Sequence, residues 1–292
     1  MQALDRRTVL VGASAILPAT GLMKRGTGEG VTKSLKRTVT VKGVTIGSGQ
    51  PKIIVSITET TSAKALARAR QLSTLAAIDI IELRIDHLDN PIDGQAIAAL
   101  CAAVAHTLNG KPLLATFRTK TEGGNASINA VAYADLYAVI VRSGQVDLID
   151  IELMRVTDRV RQLMVDAQSA GVAIILSNHD FVDTPPASEM ISRLRRMQDF
   201  DADVIKFAVM PRDAGDLLRL LGVTWEMHSH YADRPMITMS MNGIGAVSRV
   251  SGEVFGSAAT FGSAGASSAP GQIEIKDLGE VLRVMHAALS HT

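Results

Sequence analysis

The sequence predicts an α/β fold, a closed (β/α)8 TIM barrel, on three observations. Eight short, apolar, β-rich runs recur at fairly even spacing between residues 52 and 263, and helix-period segments fill the gaps between them. The turn after the first run, SITETTSAK, contains no glycine, whereas an open doubly wound sheet carries a Gly-rich phosphate turn there. Charged residues sit inside several runs in one common phase, which suits a barrel whose interior holds a polar site.

The elements follow in order. MQALDRRTVLVGASAILPATGLMKRGTGEG sets Arg6-Arg7 before an apolar stretch from Thr8 to Met23, then Lys24-Arg25. This pattern is similar to a bacterial twin-arginine (Tat) export signal. Residues 1–35 are therefore set apart as a signal-like extension, and 36–292 as a single catalytic domain. Export predicts a periplasmic protein; a cytoplasmic one is the alternative. The apolar stretch is too short, and too rich in Gly and Ala, for a membrane span, so no stable membrane insertion of the mature chain is expected.

TVTVKGVTIGSG, residues 38–49, alternates apolar and polar around Lys42-Gly43 and predicts a β-hairpin that closes the barrel bottom. The eight strands are KIIVSI (52–57), IDIIELRID (78–86), PLLATFR (112–118), DLIDIEL (147–153), AIILSNHD (173–180), VIKFAVM (204–210), MITMSM (236–241) and SAATFGS (257–263). After the first strand, Leu66, Ala69, Leu72 and Leu75 form a helical stripe. Val160, Leu163, Met164 and Ala167 form another, with Gly171 as its stop, and Met190, Leu194 and Met197 a third. A short helix is expected near Leu217–Leu221. Asp277 with Glu280 resembles a capping box that opens the last helix and sends Leu278, Val281, Leu282 and Met285 inward.

Composition narrows the partner. Hydrophobic residues are 47% of the 292, but aromatics only 3%, so Ala, Val, Ile, Leu and Met must fill the core. Thirty basic and 29 acidic residues leave a formal charge of +1, which gives no reason to expect a nucleic-acid or anionic-membrane partner; a small molecule fits better. The single cysteine, Cys101 in AALCAAVAH, permits no intramolecular disulfide and no cysteine metal cluster. The histidines show no metal-ligand spacing, so neither metal nor cofactor is expected.

Strand phase carries the functional reading. In IIELRID, Ile81, Leu83 and Ile85 share one face, while Glu82, Arg84 and Asp86 share the other. The apolar trio must meet the helices, so the charges point inward, near the carboxyl ends where barrel enzymes place their chemistry. By the same alternation Thr116 and Arg118, Asp150 and Glu152, and Lys206 face in. Lys206 lies mid-strand. Removing its ammonium from water disfavours the charged form, and a neutral amine attacks carbonyls; a structural lysine paired with Glu82 or Glu152 is the alternative. His179 ends the neighbouring strand, where an imidazole can act as base and then acid, or simply cap the strand. Lysine plus histidine suggests imine chemistry with proton transfer, and aldol cleavage and dehydration both fit.

At these residues the chain resembles the type I 3-dehydroquinate dehydratases. The resemblance runs from about Val39 to the last helix. It rests on E-L-R-x-D (82–86), T-F-R-x-x-x-E-G-G (116–124), S-N-H-D-F (177–181), K-F-A-V-M-P (206–211), M-S-M (239–241), S-R (248–249), G-S-A-A-T-F-G (256–262) and S-A-P-G-Q (268–272). It implies Lys206 as the Schiff-base lysine, His179 as general base and then acid, and Glu122 as the carboxylate that orients the histidine. It implies Arg249, with Ser268 and Gln272, as the anchor for a substrate carboxylate. Glu82, Arg84 and Arg118 would hold ring hydroxyls, Met239, Met241, Phe181 and Phe261 would form apolar walls, and Ser56 would also bind substrate. It further implies loss of water from 3-dehydroquinate without cofactor, in the shikimate pathway and aromatic amino-acid biosynthesis or in quinate metabolism, and a homodimer. Loop 264–272 is expected to close over the site. Departures are the Tat-like extension, Leu83 where the family commonly has Trp, and SAGAS (263–267) without its usual basic residues. A class I Schiff-base aldolase and a non-catalytic ligand-binding barrel stand as the rival functions.

Overall fold

The computed structural model describes residues 37–290 apart from residue 266. The Arg6-Arg7 pair and its apolar stretch lie outside them. The described chain opens with the expected hairpin, β1 (Val39–Val41) against β2 (Val44–Ile46). Lys42 and Gly43 both take positive φ, 45° and 80°, as a tight two-residue turn demands.

Eight parallel strands follow: β3 (Lys52–Ile57), β4 (Ile80–Arg84), β5 (Leu113–Thr116), β6 (Leu148–Glu152), β7 (Ala173–Asp180), β8 (Val204–Val209), β9 (Met236–Ser240) and β10 (Ala259–Ser263). Each pairs with the next from β3 to β9, and β10 pairs back on β3, with Ala259 opposite Lys52. The seam between β9 and β10 is a parallel bridge, Met236 to Ser257, beside an Ala258 N–H to Met236 carbonyl bond of 2.7 Å. The ring of eight is thereby complete. A two-residue strand, β11 (Ile273–Glu274), adds to the outer side of β10.

Helices α1 (Ser62–Ser73), α2 (Gly94–Thr107), α3 (Ala130–Arg142), α4 (Asp158–Ser169), α5 (Ala187–Asp199), α6 (Ala214–Glu226), α7 (Ala246–Val250), α8 (Gly252–Phe255) and α9 (Ile275–Leu289) alternate with the strands. The predicted stripes on α4 and α5 are buried, and Gly171 takes φ +80° just past the end of α4. Three expectations change. Leu75 lies past the end of α1 and is 38% exposed; Ala65 takes its place in the buried stripe. The helix near Leu217 is not short: α6 runs 13 residues and continues into a π turn, Met227–Tyr231. The last helix starts at Ile275, so Asp277 is already inside it, and Val281 is exposed while Leu278 and Leu282 are buried.

Two apolar layers result. Ile53, Val55, Ile81, Leu83, Ala115, Phe117, Ile149, Ile151, Ile205 and Phe207 pack outward against the helices. Inside the ring, Ile54, Ile80, Leu114, Leu148, Ile175, Val204 and Ile237 fill the lower half, joined by fully buried Ile46 from the hairpin. The hairpin thus caps the end of the barrel opposite the carboxyl ends of the strands. Above this layer, the interior turns polar.

Candidate active site

Ladder partners share a face of the sheet. Ser56 is opposite Glu82, Arg84 opposite Thr116, Thr116 opposite Asp150, Glu152 opposite Ser177, and Ser177 opposite Lys206. The phase reasoning therefore places these groups inside, all of them buried. One cavity at the carboxyl ends gathers the site. Lys206, His179 and Glu122 line it, with Glu82, Arg84 and Arg118 on the same rim. Arg249 and the apolar Met239, Met241, Phe261 and Phe181 complete the wall, and Ser268 and Gln272 close it from above. Ser56 stands one layer back: it donates to Glu82 Oε2 and accepts a 3.0 Å bond from the Ser268 hydroxyl.

The partner of Lys206 is neither Glu82 nor Glu152. Its Nζ lies 3.0 Å from Asp150 Oδ2. Glu152 is committed elsewhere, accepting from the Thr119 N–H and hydroxyl at 2.8 Å each and from Arg118 at 3.2 Å. Glu82 accepts from Ser56 and Thr116. Phe261 supplies an aromatic face 4.6 Å from Nζ.

His179 is held by Glu122. The carboxylate Oε2 is 2.9 Å from both Nδ1 and the backbone N–H of His179, and Oε1 accepts 2.9 Å from the Asn178 amide. A carboxylate at Nδ1 fixes the ring proton there and leaves Nε2 with its lone pair toward the cavity. Burial, then the nearby Arg118, Lys206 and Arg84 cations, push the imidazole well below its ordinary range, so it is neutral at pH 7. Burial raises the Glu122 carboxyl to about 7, against the pull of Arg118.

Arg249, on α7, is 1% exposed and, among the described residues, bonds no carboxylate. Its Nη2 donates 2.9 Å to the Pro270 carbonyl, and its Nε has no partner. Burial lowers the guanidinium to about 10. A buried cation without a counter-charge, facing a cavity, is a site for an anion. The loop over it is docked: the Gln272 amide bonds the Ser268 hydroxyl at 2.8 Å, and the Asn242 N–H bonds the Pro270 carbonyl at 3.2 Å. Gly271 takes φ +76°, and a Cβ there would fall 2.1 Å from the Asn242 carbonyl oxygen, so only glycine permits this seat.

Phase reasoning missed two supports. Asn178 alternates to the face opposite His179 and reaches Arg193 on α5 at 2.9 Å, so no strand pattern marked it. Tyr137, from α3, donates 2.6 Å to the Asp150 carbonyl and accepts 2.8 Å from the Phe117 N–H; its signal was its rarity in a chain with three tyrosines. Among the described residues, no group of three or more His, Cys, Asp or Glu side chains could hold a metal.

Comparison with known proteins agrees with this geometry. The family model of type I 3-dehydroquinase matches residues 53–288. A 3-dehydroquinate dehydratase of Escherichia coli O157:H7 (strain EC4115 / EHEC) is 47% identical over 255 residues, covering 86% of this chain and 100% of that protein. A crystal structure of a type I 3-dehydroquinate dehydratase from Clostridium difficile, with covalently modified comenic acid, is 43% identical with a TM-score of 0.83, over 87% of this chain and 99% of that one. The 3-dehydroquinate dehydratase structure from Geobacillus kaustophilus HTA426 is 32% identical with a TM-score of 0.82, over 86% and 97%. Barrel, site and relatives lead to one conclusion: the chain belongs to the type I 3-dehydroquinase family.

Proposed function

We propose that the chain is a hydro-lyase that converts 3-dehydroquinate to 3-dehydroshikimate through an imine on Lys206. The observation that carries this reading is the pairing, in one cavity, of an imine-competent lysine and a neutral histidine with the uncompensated Arg249. Lys206 Nζ adds to the C3 carbonyl, and the carbinolamine loses water. The imine is a stronger electron sink than the ketone, so the C2 proton passes to His179 Nε2. The resulting enamine expels the C1 hydroxyl, which takes the proton back from the imidazolium, a syn elimination. Hydrolysis of the conjugated imine frees the product. Glu122 keeps the neutral imidazole in the basic tautomer and stands against Nδ1 of the imidazolium that forms.

Arg249 takes the substrate carboxylate with its planar fork, and Ser268 and Gln272 assist from the loop. Glu82, Arg84 and Arg118 hold ring hydroxyls, and Met239, Met241, Phe181 and Phe261 supply the apolar walls. Ser56 serves the substrate side through Glu82 and Ser268.

The direct test is enone absorbance on addition of 3-dehydroquinate. Turnover of sugar phosphates in its place supports the aldolase, and binding without absorbance supports the binding barrel. Substitution Arg249→Gln is expected to raise KM on the order of 10²-fold or more, the scale for loss of a buried charged hydrogen-bond partner. An unchanged KM sinks the carboxylate assignment.

The twin-arginine pattern supports export and, with it, a role in quinate breakdown outside the cytoplasm. Fractionation of cells decides this: activity confined to the cytosol ends the idea. A homodimer is part of the same reading, and sedimentation at micromolar concentration checks it.

A further inference from the structure

Asp150 is fully buried behind the wall of the cavity, yet its Oδ2 lies 3.0 Å from the nitrogen that forms the imine. Its other oxygen accepts from Arg118 at 2.6 Å and from Ser177 at 2.5 Å, and its backbone carbonyl is tied to Tyr137. Four elements hold this carboxylate against movement. Burial alone would push it up, but Arg118 and then Lys206 hold it below the usual carboxylate range, so it remains an anion.

The charges around Lys206 show why an anion is needed there. From β4 comes Arg84, bonded to Asp86 at 2.8 Å; from the end of β5 comes Arg118; from α7 comes Arg249. His179 on β7 is neutral. Among the described residues, the other carboxylates facing the cavity form no ion pair with Nζ: Glu82 accepts from two hydroxyls, and Glu122 from His179 and Asn178. Glu152, behind, is taken by Arg118 and Thr119. A protonated imine in this ring of guanidinium groups would shed its proton to escape their field, and a neutral imine is a poor electron sink.

We propose that Asp150 is the counter-ion of the imine nitrogen, keeping it protonated while the C2 proton is removed. This rests on the imine reading above. The balance is complete: an ammonium and a ketone give a protonated imine and one water, so the positive charge stays on Nζ and the ion pair is preserved. On loss of the C2 proton, that charge moves to His179 as Nζ becomes the neutral enamine nitrogen. It returns to Nζ when the hydroxyl leaves with the imidazolium proton. Asp150 itself gains no proton at any step.

The test is the pH dependence of kcat in Asp150→Asn. Above the Glu122 carboxyl at about 7, the wild-type chain is expected to hold a level kcat from about pH 8 to 9, whereas the variant falls roughly tenfold per pH unit above the point where its imine loses its proton. Ser177→Ala, which removes one bond to Asp150 and no charge, keeps the wild-type shape. A variant profile with the wild-type shape, whether at full height or lowered by one factor at every pH, overturns the counter-ion. Absence of a borohydride adduct in the wild-type chain with 3-dehydroquinate defeats the imine reading itself, so the two failures are distinct. Should Asp150→Asn not fold, the C=N stretch of the wild-type imine decides at pH 8. A downward shift in D2O marks the protonated form, and no shift overturns the proposal.

Discussion

Replacing Lys206 by alanine should lower kcat for 3-dehydroquinate on the order of 10⁴-fold or more and abolish the mass increase that borohydride leaves on the wild-type chain. The size of the effect follows from what is removed. Without the amine, the C2 proton must be taken from beside a plain ketone, and among the described residues no other lysine lines the cavity. The remaining groups still bind and orient the ring, so KM should move much less than kcat. Asp150 keeps Arg118 at 2.6 Å, so the carboxylate is not left bare and the barrel should survive the change. Circular dichroism checks that survival. Normal turnover in the variant would refute the imine on this residue.

Replacing His179 by alanine should cost 10²- to 10⁴-fold in kcat, the usual worth of a placed general base, while leaving the lysine free to condense. Borohydride trapping should therefore still label Lys206. That split, chemistry lost and adduct kept, separates the histidine from the lysine in a way activity alone does not. The wild-type acid limb is also fixed in direction. The folded chain holds this imidazole well below 6.5, while burial raises the Glu122 carboxyl that orients it to about 7, so a first fall of kcat/KM near 7 belongs to Glu122 and the histidine's own limb lies further into acid. Stability has the same sign. Between the folded and the unfolded values the unfolded chain binds the extra proton, so the histidine's contribution is full above about 6.5 and shrinks as pH drops below it. A His179→Ala chain should lose part of that acid sensitivity in thermal melts; an acid sensitivity unchanged by the substitution contradicts the assignment.

Much of this was legible in the sequence because a strand repeats every two residues. Glu82 and Arg84, Asp150 and Glu152, and Lys206 were readable as inward from their neighbours alone, since Ile81, Leu83, Ile151 and Phe207 had to face helices. The eight runs matched the eight strands for the same reason. What phase does not contain is distance. It offered Glu82 or Glu152 as partners for Lys206 only in the structural alternative, and could not tell that Thr119 and Arg118 had already taken Glu152. Asn178 and Tyr137 act from the outer face and from a helix, where no inward pattern applies. The start of α9 was misplaced because Asp277 and Glu280 look like a cap, yet the backbone turns helical at Ile275, where burial of Ile275 against the barrel outweighs a polar start.

The hairpin at the foot of the barrel has a consequence for the water traffic of the cycle. With Ile46 and the ring of aliphatic side chains above it filling that end, the cavity among the described residues lies away from the hairpin, beneath Ser268 and Gln272. Water departs twice, on condensation and on elimination, and must come back once to hydrolyse the conjugate. The segment that bears Ser268 and Gln272 stands at the end of the cavity away from the hairpin. A chamber open at both ends could drain from below; with the hairpin end filled, water exchange for the proposed chemistry is expected at the carboxyl ends of the strands, beside the loop that would cover the ring.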